Sequence, residues 1–371
     1  MPWLSSETDL IPFLHLVHTK GFGPHRYLEL LETYTSLSEF LSADSVSLQQ
    51  HGWTPEFIAH FTHARTAWND SVWDWVFTDP SLTCLTYDHP DYPPLLRELK
   101  DAPLILFVRG DTRALQIPTL SVVGTRKPSP YGRKAVETLV PPIVRAGIGI
   151  VSGLAYGIDG YAHETTLEHH GVTIAVVPGS THPKRCTPTH HSDLAERILA
   201  QKGAIISEDT PETVLLASSF PRRNRILVGL SRALLVVEAA QKSGSLVSAQ
   251  IAINSNRDVL CVPGPIDAVT SEGCHILLRS GATLISEAAD ILEYFPECCP
   301  ETVQLPLAPT LQLCTPEEEV VYNQIRHERS VSLDQLTRST PLSSSLLLRT
   351  LSRLELSELI REEDGYYRLT S

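Results

Sequence analysis

Two neighbouring stretches constrain this chain most: TLSVVGTRKPSPYG at 119–132 and, after a helical stretch, GIGIVSGLAYGIDGYAH at 147–163. Each reads as a buried strand that runs into a glycine-containing turn and then a helix, Leu120 to Val123 into Gly124-Thr125-Arg126 and Ile148 to Val151 into Ser152-Gly153. Successive strand–turn–helix units imply parallel pairing, because parallel neighbours need a crossover connection. In an open parallel sheet both turns lie at the carboxyl ends of the strands, where ligands bind. The two glycine turns are therefore expected to face one crevice.

Amides that open a helix have no intrahelical partner and carry partial positive charge, so such turns can cradle phosphate. Arg126 adds a planar positive fork. The competing reading is that these glycines only allow tight turns. Neither turn is a GxGxxG or a Walker loop, so neither alone names a ligand.

A chain of 371 residues, 42% hydrophobic, has room for two or three domains and a packed core. No apolar run reaches membrane-spanning length, and MPWLSSETDL lacks the pattern of a signal peptide. The expectation is a cytoplasmic protein without membrane contact. Its seven cysteines are scattered, with no CxxC pair, which suits free thiols in a reducing compartment and argues against structural zinc. The formal charge of −13 speaks against a nucleic-acid partner, yet residues 119–240 carry 13 Lys/Arg against 10 Asp/Glu, a net of +3 that leaves −16 elsewhere.

In chain order, residues 1–75 read as a small helical domain of the sterile-alpha-motif or helix-hairpin-helix kind, with the turn Gly21-Phe22-Gly23-Pro24 between helices. Such a turn either holds a DNA phosphate or only packs its helices, and the few basic residues around it favour packing. Trp68, Trp73 and Trp75 precede a proline-rich stretch, and 76–110 reads as a connector with a strand at Leu104 to Val108. Residues 111–296 read as a Rossmann-like domain with strands at 120–123, 148–151, 173–177, 204–206, 233–237 and 258–262. Residues 297–315 read as a linker, and 316–371 as a winged helix: three helices and a hairpin turning at Asp364-Gly365. Its third helix offers Arg349 and Arg353 to phosphate, but the net charge of −3 favours a protein partner. The predicted fold is α/β, an extended Rossmann-like doubly wound parallel sheet flanked by these two smaller domains.

A further stretch, SSFPRRNRILVGLSRALLVVEAAQKSGSLVSAQIA, carries Phe220, Arg222, Arg223, Asn224 and Arg225 on one helix and Ser243-Gly244-Ser245 at the start of the next. Guanidinium groups and helix-opening amides occur together there, which suits an anion. The apolar continuation ILVGL makes the helix partly buried and points its arginines into a site. Asp159, His163 and Glu238 are the candidates for acid–base work, Asp159 doubling as a helix N-terminal charge. His182, Cys186, His190 and His191 have loosely metal-like spacing in a proline-rich loop with nothing to fix their geometry, so no metal is expected. No cofactor motif is present.

SVVGTR, IVSGLAYGIDGYAH, FPRRNRILVGLS, VVEA followed by SGSL, and VPGP followed by GCHILLRSGA resemble the DNA-processing protein A family, also called Smf, in order and spacing over nearly the whole chain. The resemblance implies a non-enzyme that binds single-stranded DNA without marked sequence preference and dimerises through its Rossmann domain. It further implies loading of a RecA-type recombinase during natural transformation, with displacement of single-strand-binding protein. By motif, Gly124, Thr125, Arg126, Arg222, Arg223, Asn224 and Arg225 line a phosphate groove, joined by Phe220, Lys184 and Ser243-Gly244-Ser245. Gly153, Ala155, Gly157 and Asp159 shape its floor. The chain departs from the family at Pro178-Gly179-Ser180 and at Thr187-Pro188 with His191, which alters one wall beside Lys184 and Arg185. Asn256-Arg257 replaces the usual Gly-Arg. The competing readings are a nucleotide-processing hydrolase with Glu238 as general base, which rests on fold analogy, and a transcription regulator reading DNA through the winged helix.

Overall fold

The computed structural model describes residues 7–66, 74–181, 189–210, 213–298, 315–328, 330–356, 359–363 and 365–369. The chain divides into two compact units, Met1–Pro300 and Glu301–Ser371. The first opens with α1 (Glu7–Val17), α2 (Pro24–Thr33), α3 (Leu37–Ser42), α4 (Ser45–Gln50) and α5 (Pro55–Thr66). These helices are short, and two are stopped at their N-termini by side chains: Ser36 accepts from the Glu39 amide and Asp44 from the Ser47 amide. Aromatic rings fill the space between them. Phe22 stacks on Trp53 with ring centroids 6.2 Å apart, and Phe13, Tyr27, Phe40, Phe57 and Phe61 are buried in the same cluster. The GFGP turn thus serves packing: Gly21 takes a positive φ of 90° and Phe22 goes inward.

The remainder of this unit is one sheet with helices between its strands: α6 (Asp74–Thr78), β1 (Leu82–Thr86), α7 (Pro94–Arg97), β2 (Ile105–Gly110), β3 (Thr119–Val123), α8 (Pro130–Arg145), β4 (Gly149–Ser152), α9 (Ile158–Glu168), β5 (Thr173–Val176), α10 (Ser192–Ala200), β6 (Ala204–Ser207), α11 (Ser219–Gly229), β7 (Ala233–Val236), α12 (Gly244–Asn254), β8 (Asp258–Cys261), α13 (Glu272–Arg279), β9 (Thr283–Leu284) and α14 (Ala288–Leu292). The strands lie in the order β1-β2-β6-β5-β4-β3-β7-β8-β9. Pairing is parallel from β6 through β9, while β2 runs antiparallel to β6 and β1 antiparallel to β2. Alternate residues of the parallel strands enter two separate cores. Val123, Val151, Ile174 and Val236 pack with Ile226 and Leu227 of α11; Leu120, Val122, Ile150 and Leu235 pack with Val136, Val140 and Ile143 of α8. Burial on both faces explains why these strands read as unbroken apolar runs.

The sequence reading of 76–110 as a connector is corrected here. β1 and β2 are integral to the sheet: Leu106 and Val108 lie in the core, and Trp75 packs on Phe107 with centroids 4.9 Å apart. Prolines 93, 94 and 103 suggested an extended linker, yet they sit between strands. Trp68 and Trp73 fall outside the described residues.

In the second unit α15 (Pro316–Glu328), β10 (Val331–Ser332), α16 (Leu333–Ser339), α17 (Ser344–Leu356), β11 (Ile360–Glu363) and β12 (Tyr366–Leu369) follow the element order expected for a winged helix, with strand order β10-β12-β11. Ser332 and Gln335 form a capping box at the start of α16. Val321, Ile325, Leu347, Leu351 and Tyr367 make this unit's own core. Arg353 pairs with the buried Glu318 at 3.4 Å, so one of the two arginines expected to face phosphate holds α17 to α15.

Leu106 is fully buried where β2 joins the parallel strands. Leu106→Ala is expected to lower the unfolding free energy of the first unit by about 2–5 kcal/mol in chemical denaturation. A loss well under 1 kcal/mol would return β2 to a peripheral connector.

Candidate functional site

From β3 the chain steps outward through β4, β5 and β6, then returns to place β7 on the other side of β3. The strand order reverses there, and a crevice opens beyond the carboxyl ends of β3 and β7, as expected at such a switch point. A cavity of about 360 Å³ occupies it, lined by Gly124, Thr125 and Arg126 after β3, Ala155 and Asp159 after β4, Phe220, Arg223 and Asn224 of α11, and Lys242, Ser243, Gly244 and Ser245 after β7. The two glycine turns and the arginine helix therefore meet. A smaller and largely apolar cavity of about 100 Å³ adjoins it between Tyr156, Pro178 and Phe220. The Arg126 guanidinium lies over the Phe220 ring, 5.5 Å from its centroid, and both groups line both cavities.

The N-termini of α8, α9 and α12 lie at this edge, and they differ. α8 does not follow the first turn directly as expected; it begins at Pro130, where Ser129 caps it by accepting from the Gly132 amide. The Glu238 carboxylate closes that end, accepting from the Ser129 amide (2.9 Å), the Ser129 hydroxyl (2.6 Å) and Thr270 Oγ1 (3.0 Å). Buried and triply bonded, Glu238 anchors α8 and lies outside the cavity lining. α9 starts behind Gly157 with Asp159 in its first turn, and the Asp159 carboxylate reaches back to accept from the Gly153 amide at 3.1 Å. α12 opens directly into the cavity behind its N-cap Ser243, with Lys242 alongside. Its positive end faces the lined space.

Arg223 forms the floor. It is 7% exposed, donates from Nη1 to the Val176 carbonyl at 2.9 Å, and lies in the field of Asp159. Burial pushes the Asp159 carboxyl up, opposed by Arg223 and by the Ala155 and Gly153 amides; burial likewise lowers the Arg223 guanidinium to about 10. Each group favours the charged form of the other against burial. Gly153 makes room for this: a Cβ there would lie 1.9 Å from Arg223 Nη1. Gly157, at φ +81°, lets the backbone pass where a Cβ would lie 2.3 Å from the Thr125 carbonyl.

Arg222 and Arg225 leave the crevice. Arg222 pairs with Glu208 and Asp209, and Arg225 with Glu208 and Asp101, because a helix at 100° per residue cannot aim residues 222, 223 and 225 at one target. Asn224 lines the cavity; Lys184, Arg185, His182 and Cys186 fall outside the described residues. Among the described residues no cluster of His, Cys, Asp or Glu is arranged to hold a metal ion. His191 bonds the Leu154 carbonyl at 2.8 Å, which places it against the second glycine turn. Lys242 and Tyr156 were not singled out from sequence. The signal was present for both: Lys242 immediately precedes Ser-Gly-Ser, and Tyr156 lies inside SGLAYGID. No helix among the described residues is long and apolar enough to cross a membrane.

His163 is buried beneath the second turn, with Nδ1 2.7 Å from Thr173 Oγ1; burial, then His191 and Arg223, lower its pKa from 6.5 to about 3. It stays neutral in the folded chain while the unfolded chain takes up a proton below pH 6.5. Its contribution is thus intact above 6.5 and is lost as pH falls toward 3. Relative to His163→Gln, the native protein is expected to lose up to about 1.4 kcal/mol more per pH unit between pH 6 and 4. Parallel denaturation series on the two proteins measure this, and parallel pH dependences would refute it.

Residues 83–296 match the family model for DNA recombination-mediator protein A. Protein Smf of Escherichia coli is 42% identical over 253 residues, 67% of this chain and 66% of that protein. Protein Smf of Synechocystis is 36% identical over 278 residues, 74% of this chain and 69% of that one. The chain thus spans about two thirds of the length of these relatives. The X-ray structure of DNA processing protein A from Streptococcus pneumoniae superposes with a TM-score of 0.64 at 31% identity, over 76% of this chain and 96% of that one. A Helicobacter pylori DNA processing protein A structure, described for its single-stranded DNA binding mode, gives 0.52 at 31% identity over 58% and 96%. With a matched model over more than half its length, a sheet that superposes and a crevice built from the matched residues, the chain belongs to the DNA recombination-mediator protein A family.

Proposed function

We propose that this chain binds single-stranded DNA in the crevice at the β3/β7 switch point and acts as a recombination mediator without catalysing a reaction. The observation that carries this is the lining itself: Arg126, Arg223, Lys242 and the open end of α12 converge on one cavity that also presents the Phe220 ring. Cationic groups for the backbone beside an aromatic face for bases is the combination that sequence-tolerant single-strand binding requires. The single-stranded DNA binding described for the H. pylori relative supports the same ligand. The hydrolase reading needs Glu238 as a free base, and its carboxylate is instead committed to Ser129 and Thr270.

In this reading Gly124, Thr125, Arg126, Asn224, Ser243, Gly244 and Ser245 contact the strand, with Gly153, Ala155, Gly157 and Asp159 shaping the floor. Arg223 acts from below. Arg222 and Arg225 are removed from the contact set, since their guanidiniums are held by carboxylates. The partners we propose are a RecA-type recombinase, a second copy of the chain and single-strand-binding protein, in the cytoplasm. The acidic second unit suits a protein surface more than DNA.

Binding to a fluorescent single-stranded oligonucleotide is expected to fall linearly with log salt, with a duplex of the same sequence bound more weakly. Arg126→Ala should weaken single-strand binding about tenfold and reduce the salt slope by about 0.7. Equal affinity for strand and duplex, or an unchanged Arg126→Ala variant, would remove the crevice from the interface and make nucleotide hydrolysis the next assay.

A further inference from the structure

Beside the crevice, the chain between β6 and α11 presents apolar side chains to water. Val214, Leu215 and Leu216 are 75%, 38% and 60% exposed, and residues 213–221 carry no charge before RRNR begins. The segment is not loose. Leu215 packs over Gly179, where a Cβ would lie 2.9 Å from Leu215 Cδ2. The Leu216 amide donates to Ser219 Oγ at 3.1 Å and its carbonyl accepts from the Ser219 amide at 3.0 Å, which fixes the turn that delivers Phe220. Next to Gly179, Pro178 lines the small apolar cavity with Tyr156 and Phe220. Apolar side chains therefore follow one another from the exposed Val214 and Leu215, over the buried Gly179, to the small cavity lined by Pro178, Tyr156 and Phe220, which Arg126 shares with the main cavity.

Exposed apolar surface held in place and continuous with a charged site marks a binding face. We propose that this ledge takes the unpaired bases of the same strand whose phosphates occupy the crevice; the inference rests on the single-strand reading above. A duplex turns its phosphates outward and keeps its bases stacked and paired, so it cannot fill crevice and ledge together. An unpaired strand can, with phosphates toward Arg126 and Lys242 and base faces against the ledge. From Val214 to Ala217 the exposed side chains beside the pocket are all apolar, so bases are held there by area rather than by hydrogen-bonded readout. The ledge thus supplies the preference for single strands and the part of the affinity that salt does not remove.

The test uses the full chain, an unmodified single-stranded oligonucleotide and an abasic oligonucleotide of equal length, each over a salt series. Val214 and Leu216 are exposed, so V214S/L216S leaves the fold intact, which an unchanged thermal unfolding curve checks. The double variant is expected to bind the unmodified strand about five- to tenfold more weakly at every salt concentration, with the salt slope unchanged. The native protein should bind the abasic strand more weakly by at least that factor, and the variant should bind it no more weakly than the native protein does. If the native protein holds abasic and unmodified strands equally, or the variant binds like the native protein, bases do not sit on the ledge. A variant that loses only self-association would assign the ledge to a second copy of the chain and equally overturn the proposal. A native protein that binds neither strand sinks the crevice reading itself, a result distinct from failure of the ledge.

Discussion

The crevice depends on one buried guanidinium, that of Arg223, lying in the field of the Asp159 carboxyl. Arg223 occupies the volume that Gly153 leaves empty, hands one hydrogen bond to the end of β5, and faces a carboxylate that rises from the first turn of α9. Three segments distant in sequence, the ends of β4 and β5 and the middle of α11, are joined by a single guanidinium. Removing Arg223 would take away the guanidinium that favours the charged form of Asp159 and the hydrogen bond to the Val176 carbonyl. Carboxylates sit at two of the helix starts, Asp159 in the first turn of α9 and Glu238 on the Ser129 amide before α8, whereas α12 opens onto the cavity with Lys242 beside it.

This arrangement separates two kinds of arginine on one helix. Arg223 is structural in position yet sits beneath the cavity, where its charge is felt through little water. Arg222 and Arg225 are more accessible but already paired with Glu208, Asp209 and Asp101. A count of cationic residues near the crevice would rank the three alike, but their effective charge toward a ligand differs because of their partners. The same holds for the whole molecule. A formal charge of −13 repels phosphate at long range, while the cavity lining is cationic. Low-dielectric walls focus the local field, and salt screens the remainder within about 10 Å. Binding at such a site is governed by the lining, not the total.

Much of this was legible in the sequence. Six of the seven parallel strands, β3 to β8, are legible within about a residue or two of their observed bounds, because strands buried on both faces must be apolar throughout; the short, exposed β9 carries no such signal. The meeting of the Gly124 and Gly153 turns followed from parallel pairing alone. What was not legible involved partners remote in sequence. β1 and β2 look like a connector because prolines surround them, and β2's pairing with β6, which joins both strands to the sheet, rests on contacts about 100 residues away. The division of the FPRRNR arginines required knowing where Glu208 and Asp209 lie. Lys242 does precede Ser-Gly-Ser, but a lone lysine carries no period, and only the cavity wall opposite it gives the position its weight.

Burial of polar groups is also what turns a common fold into this site. A parallel sheet with a switch point offers a crevice to any ligand that suits its edge, and the fold alone does not choose. Here the choice is made by small residues at closest approach. Gly153 admits the guanidinium, and Gly157 lets the chain pass the Thr125 carbonyl and return into α9 with Asp159 aimed inward. The Ile158 amide then binds the Thr125 carbonyl at 3.2 Å, and the Thr125 amide binds the Glu238 carbonyl at 2.8 Å. The first glycine turn is thereby clasped from both sides, which leaves Arg126 at its tip with its side chain laid over Phe220. A cation held against an aromatic face before any ligand arrives has little rotational freedom left to lose on binding, so the glycines far below contribute to affinity by fixing the arginine above.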